Sequence, residues 1–93
     1  MDTKHDFVWA FVGVNSRFPS GIFISLEIGK EWIMTHKLSG VLTKYPLNEG
    51  VYDWAIAHGF FTVKKPEHST SLFIGKFTTA SMEHFHFKNG IME

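Results

Sequence analysis

The chain has no cysteine, which excludes disulfides, thiolate nucleophiles and Cys-ligated zinc, and fits a reducing compartment. Arginine is almost missing: Arg17 is the single one, and nine Lys and Arg are balanced by nine Asp and Glu. The guanidinium forks and the basic footprint of a nucleic-acid binder are therefore lacking, and no nucleic-acid partner is expected. No apolar run approaches the ~20 residues that span a bilayer, and the opening MDTKHD has no apolar segment of signal-peptide type. No membrane partner is expected, and the chain reads as cytoplasmic. Ser16, Ser20 and Ser39 have no nucleophile-elbow context, and the glycines are scattered without a phosphate-cradling motif. No internal repeat or low-complexity segment is present.

What is present is apolar bulk. With 93 residues, 44% of them hydrophobic and 16% aromatic, the chain is long enough for one core and too short for two, roughly 60–65% of the unfolded surface being buried on folding. A single domain over residues 1–93, ordered from about 6 to 90, is expected. The chain is organised around Glu31 to Gly59, which holds two of the three Trp, both Tyr and two of the six His.

Phe7, Trp9 and Phe11 alternate with Val8, Ala10 and Val12, so the first strand is apolar on both faces. Turn-tolerant residues fill Asn15 to Gly21, and the short run Ile22-Phe23-Ile24 returns as a second strand. Ser25 is placed to cap a helix from Leu26 to about Lys37. Leu26, Ile28, Gly29, Trp32, Ile33 and His36 fall on one side of that helix and Glu27, Lys30, Glu31 and Lys37 on the other. Gly29 lies inside the apolar stripe, where a missing side chain permits close approach to a sheet. Leu38 to Tyr45 reads as a third strand stopped by Pro46, with a crossover between strands if the second and third lie parallel.

Asn48 is the expected cap of a second helix running through His58, its inner face Val51, Trp54, Ala55 and His58, with Gly59 the left-handed residue beyond its end. Thr62 to Ser71 is polar and irregular, the expected mobile loop. Leu72 to Phe77 and Glu83 to Phe87 alternate as strands around a small-residue turn, Thr78 to Ser81. Asn89-Gly90 is a strong turn signal followed by only three residues. The expected fold is α/β in the α+β sense: a two-layer sandwich in ββαβαββ order, with a mixed sheet of about five strands and two helices mainly on one face.

Several phrases carry a resemblance: FPSGIF, EWI within the first helix, HKLSGVLTKYP, GVYDWA with GFF, and EHFHF followed by NG. They resemble a family of small bacterial domains of unknown function, over roughly residues 7 to 90. The resemblance implies a self-contained bacterial domain and carries over no activity, cofactor or site residue.

Among residues able to carry chemistry, Glu83-His84-Phe85-His86-Phe87 stands first. On a strand, His84 and His86 share a face about 6.6–7 Å apart along the backbone, a geometry that can present two imidazoles to a metal. A third ligand would have to come from His58, His36, Glu49 or Asp53. The bland alternative puts Phe85 and Phe87 in the core and the two His in water, and it outweighs the metal reading, so no metal and no cofactor are expected. His36, near the end of the first helix, can cap a free carbonyl there. Tyr52 and Asp53 stand on the second helix, but His58, five residues on from Asp53, points about 140° away from it. Together with Tyr45, these residues form the set of candidate contacts for a partner or ligand, and no catalytic residue is assigned.

On function, a small non-catalytic interaction domain leads, its partner another protein or a second copy. Helices in a single layer can cover only one of the two apolar sets on the first strand. The aromatic set makes the better core, leaving the smaller aliphatic set to associate weakly, so a monomer or weak homodimer is expected. The rivals are a zinc sensor or hydrolase built on His84 and His86, and a small-molecule pocket lined by Trp32, Trp54 and Phe60.

Overall fold

A computed structural model of the chain describes residues 6–93. The elements run β1 (Phe7–Gly13), β2 (Pro19–Phe23), α1 (Leu26–His36), β3 (Gly40–Pro46), α2 (Val51–Ala57), a 3-10 turn (Pro66–Ser69), α3 (Ser71–Gly75), β4 (His84–Lys88) and β5 (Ile91–Met92). One five-stranded sheet has the order β2-β1-β3-β4-β5, and every neighbouring pair is antiparallel. The fold is thus of the α+β class, with the sheet antiparallel where the sequence suggested a mixed one. The cause is the place of β1. It lies between β2 and β3 and opposes both, so β2 and β3 run the same way without touching, and α1 crosses over the strand between them.

Alternation along the strands sorts the core. Phe11, Leu42 and Phe85 form one cross-strand row, and Phe23 lies opposite Trp9. Directly opposed residues share a face, which puts the aromatic set of β1 on the side that α1 covers. There Trp9, Phe11, Leu42 and Phe87 pack with Ile33 of α1, and Leu26, Trp32, Phe23, Leu38, Phe85 and Met92 close the margins. Gly29 is buried in this contact, and a methyl added to it would lie 3.1 Å from Leu42 Cδ2 and 3.2 Å from Phe23 Cδ2. The helix sits this close because the glycine has no side chain.

Local chemistry fixes the ends of α1. Ser25 Oγ accepts from the Ile28 N–H at 3.2 Å, as its position implies. At the other end Lys37 adopts the left-handed conformation (φ 54°) and Leu38 N–H donates to the Ile33 carbonyl, which satisfies carbonyls the last turn would leave open. The helix therefore ends one residue earlier than its polar pattern suggests, and Ile28 and His36 lie exposed at its margin.

Between β3 and β4 the chain makes a long excursion, and here three expectations change. Asn48 does not cap α2: it has φ 64°, and Gly50 occupies the cap position with no side-chain bond. Leu72 to Phe77 does not form a strand. Thr70 Oγ1 accepts from Phe73 N–H to start the short helix α3, and the four-residue spacing of Phe73 and Phe77 lets both rings meet Tyr52 and Phe61. Aromatic packing at helical spacing outweighs the alternation that suggested a strand. The irregular stretch from Thr62 to Ser71 contains the 3-10 turn and is tied down: Tyr52 Oη donates to the His68 carbonyl at 2.8 Å, and Lys64 N–H donates to His68 Nδ1. A second cluster, Trp54, Ala55 and Met82 with Tyr45, Val51, Phe61 and Phe77, joins the excursion to the end of β3. Gly59 (φ 78°) ends α2 as expected, with Phe60 N–H donating to the Ala55 carbonyl.

The fifth strand comes from the Asn-Gly signal. Asn89 and Gly90 both have positive φ (52° and 87°), the requirement of a two-residue turn that matches strand twist. They return the chain so that Lys88 lies opposite Ile91 and Phe87 opposite Met92.

Candidate functional site

The other face of the sheet is open. Val8, Ala10 and Val12 of β1 lie opposite Tyr45, Thr43 and Val41 of β3, and Ile22 of β2 lies opposite Ala10. On β4, His86 stands beside Val41 and His84 beside Thr43. Of these residues only Tyr45 joins either hydrophobic cluster. The molecule measures 45 × 38 × 19 Å. A sheet and one helix layer about 10 Å away fill the short dimension, and a third layer does not fit. The radius of gyration, 14.8 Å, exceeds the ~12 Å of a compact chain of this length, as a flat molecule requires.

The face has two halves. Toward β2 and β1 it is aliphatic: Val8 and Val12 are half-buried, Ile22 is 58% exposed, and Val14 beyond the strand end is 65% exposed. Toward β4 and β5 it carries His84, His86 and Lys88, with Ile91 70% exposed. A shallow hollow lies between the halves, lined in part by Val12, Gly13, Gly40, Val41 and His86. Gly40 is required there, since a methyl group on it would lie 2.3 Å from the Val12 carbonyl oxygen.

The structure distributes the candidate residues over three places. His84 and His86 stand together, ring centroids 5.6 Å apart and nearly perpendicular, and His84 Nδ1 lies 2.7 Å from the Met82 carbonyl. His36 is exposed at the far end of α1, edge-on to Trp32 at 5.6 Å. The others gather around α2. Tyr45 packs beneath it, Tyr52 is buried with its hydroxyl bonded to the His68 carbonyl, Asp53 is exposed in the first turn, and His58 bonds Trp54 O through Nδ1 at 2.9 Å. Among the described residues no group of three His, Cys, Asp or Glu converges as a metal site within the chain, so neither His36, His58, Glu49 nor Asp53 joins His84 and His86.

The aromatic pocket suggested for Trp32, Trp54 and Phe60 does not assemble. Trp32 belongs to the first cluster with Phe11 and Phe23, whereas Trp54 belongs to the second and its ring lies tilted against His58 and Phe60. Among the described residues the buried Trp54 Nε1–H has no hydrogen-bond partner, which costs the fold about 1–3 kcal/mol. Sequence reasoning missed Ile22 and Val41 as parts of the open face. Their alternation was visible strand by strand, but only the pairing register places them beside Ala10 and Val12.

Fold and face together define a small two-layer α+β domain, one sheet surface covered by α1 and the other open except at Tyr45, which packs in the second cluster. The chain belongs to the family described as Domain of unknown function (DUF7710), whose model matches residues 8–93. Comparison with curated proteins and with solved structures gives no match. No helix among the described residues is long and apolar enough to cross a membrane.

Proposed function

We propose that this domain is a non-catalytic interaction module that binds another protein through the open face of its sheet. The observation supporting this reading is the apolar row of Val8, Val12, Ile22 and Val41 around Ala10, which these neighbours bury to 7% exposure, none of the five belonging to either core cluster. A sheet face normally turns its polar residues to water, alternating with an apolar buried side. β1 breaks that rule along its whole length. Contiguous exposed apolar surface of this kind, edged by polar groups such as His86 and Lys88, is the signature of an interaction site.

The test is charge placed on the face. A Val12→Glu, Val41→Glu chain is expected to keep the far-UV dichroism of the parent and to lose the protein partners that the parent captures. Met34→Glu, on the exposed outer side of α1 (59% exposed), is expected to keep them. Partners retained by the first variant and lost by the second would move the binding surface to the helix and end this reading.

A further inference from the structure

On the open face two imidazoles stand side by side. Two imidazole nitrogens bound at about 2.0–2.1 Å to one tetrahedral zinc hold their ring centroids about 5.2 Å apart. His84 and His86 stand at 5.6 Å, close to that separation. The Met82 carbonyl can only accept a hydrogen bond, so its 2.7 Å contact places the proton of His84 on Nδ1 and leaves the Nε2 lone pair available. Metal-bound histidines are held the same way, with the other ring N–H on a carbonyl. His86 is exposed. What one chain lacks is further ligands, since among the described residues no third donor joins the pair.

We infer that His84 and His86 are completed by the same two residues of a second copy, the two open faces stacking around a zinc-type divalent ion. The inference rests on the protein-binding reading of this face and names the partner. Closed two-fold dimers are self-complementary, and the halves of the face select one arrangement. A two-fold axis between the sheets, crossing the strands at the level of Phe11, Leu42 and Phe85, lays β1 on the partner's β1 and β4 on the partner's β4. Ala10 then faces the partner's Val12, Val41 faces the partner's Thr43, and His84 faces the partner's His86, placing four imidazoles around the axis. An axis parallel to the strands would lay the imidazoles on the partner's aliphatic half. Stacked sheets sit about 10 Å apart, which puts the midplane about 5 Å from each backbone, within reach of an imidazole Nε2.

The size of the face explains why an ion is needed. Five strands of two to seven residues, at about 4.8 Å spacing and about 3.3 Å rise, give a footprint of at most roughly 450 Å² per copy. The pair would bury at most roughly 900 Å², short of the 1,200–2,000 Å² of stable complexes. Apolar contact alone therefore gives a weak dimer, and four metal–nitrogen bonds turn it into a tight one.

The experiment is sedimentation equilibrium of the tag-free chain from about 1 to 100 μM, with EDTA or with zinc chloride, alongside native mass spectrometry. Zinc is expected to tighten dimerisation at least tenfold, with one ion per two chains. His86→Ala and His84→Ala are each expected to remove the zinc effect, so that each variant's dimer constant is the same in zinc chloride and in EDTA. Val12→Glu is expected to weaken association with and without zinc. One zinc per monomer, or zinc-driven dimers that survive both histidine substitutions, would overturn the shared site. If zinc has no effect while Val12→Glu still abolishes association, the metal site is refuted and the binding face stands. If Val12→Glu leaves association unchanged, the face itself is refuted.

Discussion

The two faces of the sheet come from the same strands, one residue to each side in turn, yet they carry different chemistry. The covered face holds Trp9, Phe11, Leu42 and Phe87, large side chains that interlock with Ile33, Leu42 lying with Phe23 against Gly29. The open face holds Ala10, Val12, Val41, Thr43 and two histidines, small or β-branched side chains that make a level surface. Close packing against a helix in the same chain gains from volume and shape, whereas a surface that must remain soluble alone and still accept a partner gains from low relief and modest apolar area. Folding stability is therefore concentrated on one side, and the proposed association falls on the other.

The sharpest way to break this comparison is Leu42→Ala. Leu42 is fully buried (0% exposed) against α1, and truncation there is expected to lower stability by about 3–5 kcal/mol in urea unfolding. A loss under about 1 kcal/mol would mean that the α1 side is not the core. Gly29→Ala comes next. The helix gains about 1 kcal/mol of propensity but forces a methyl group against Leu42 and Phe23, and overpacking at about 1–3 kcal/mol is expected to prevail, lowering the melting temperature by a few degrees. A higher melting temperature would show that the contact can yield. Lys37→Gly is expected to stabilise by up to about 1 kcal/mol by relieving a left-handed backbone (φ 54°) at the end of the covering helix; no gain in a thermal scan would show that the turn stores no strain. Ile22→Thr on the open face is expected to change stability by less than about 0.5 kcal/mol, and a loss above 2 kcal/mol in the same urea assay would show a hidden layer over that face.

Where local chemistry decides the outcome, the sequence was legible. Ser25 announced the start of α1, Gly29 its packing side, Gly59 the end of α2, and β1 its double-sided apolar character. The α+β class follows from these. The misreadings lie where tertiary contact decides. Phe73 and Phe77 fit a strand or a helix equally well until Tyr52 and Phe61 stand opposite, and Asn89-Gly90 gains its short strand only because β4 is there to pair with it. Of the site, the side-by-side imidazoles could be read from the His-x-His spacing alone. The hydrogen bond that fixes the His84 tautomer could not, since Met82 lies outside the strand, and neither could the row of Ile22, Ala10 and Thr43, which depends on pairing register.

The excursion between β3 and β4 has a further consequence. Lys44 N–H donates to the Glu83 carbonyl at 2.9 Å, so the chain leaves the sheet and returns to it at adjacent points, with α2, the 3-10 turn and α3 carried in between. Topologically residues 47–83 are the loop of an oversized hairpin. Halving a loop's length changes its closure entropy by only about 0.6 kcal/mol, and the Phe11-Leu42-Phe87 core draws no side chain from it. The open face leans on it at one edge, where the Met82 carbonyl holds His84 and Tyr45 packs with Trp54, Ala55 and Met82. The core under α1 can therefore keep its packing while the excursion's length and composition change, whereas the His84 and Tyr45 edge of the open face is tied to the excursion's return through Met82.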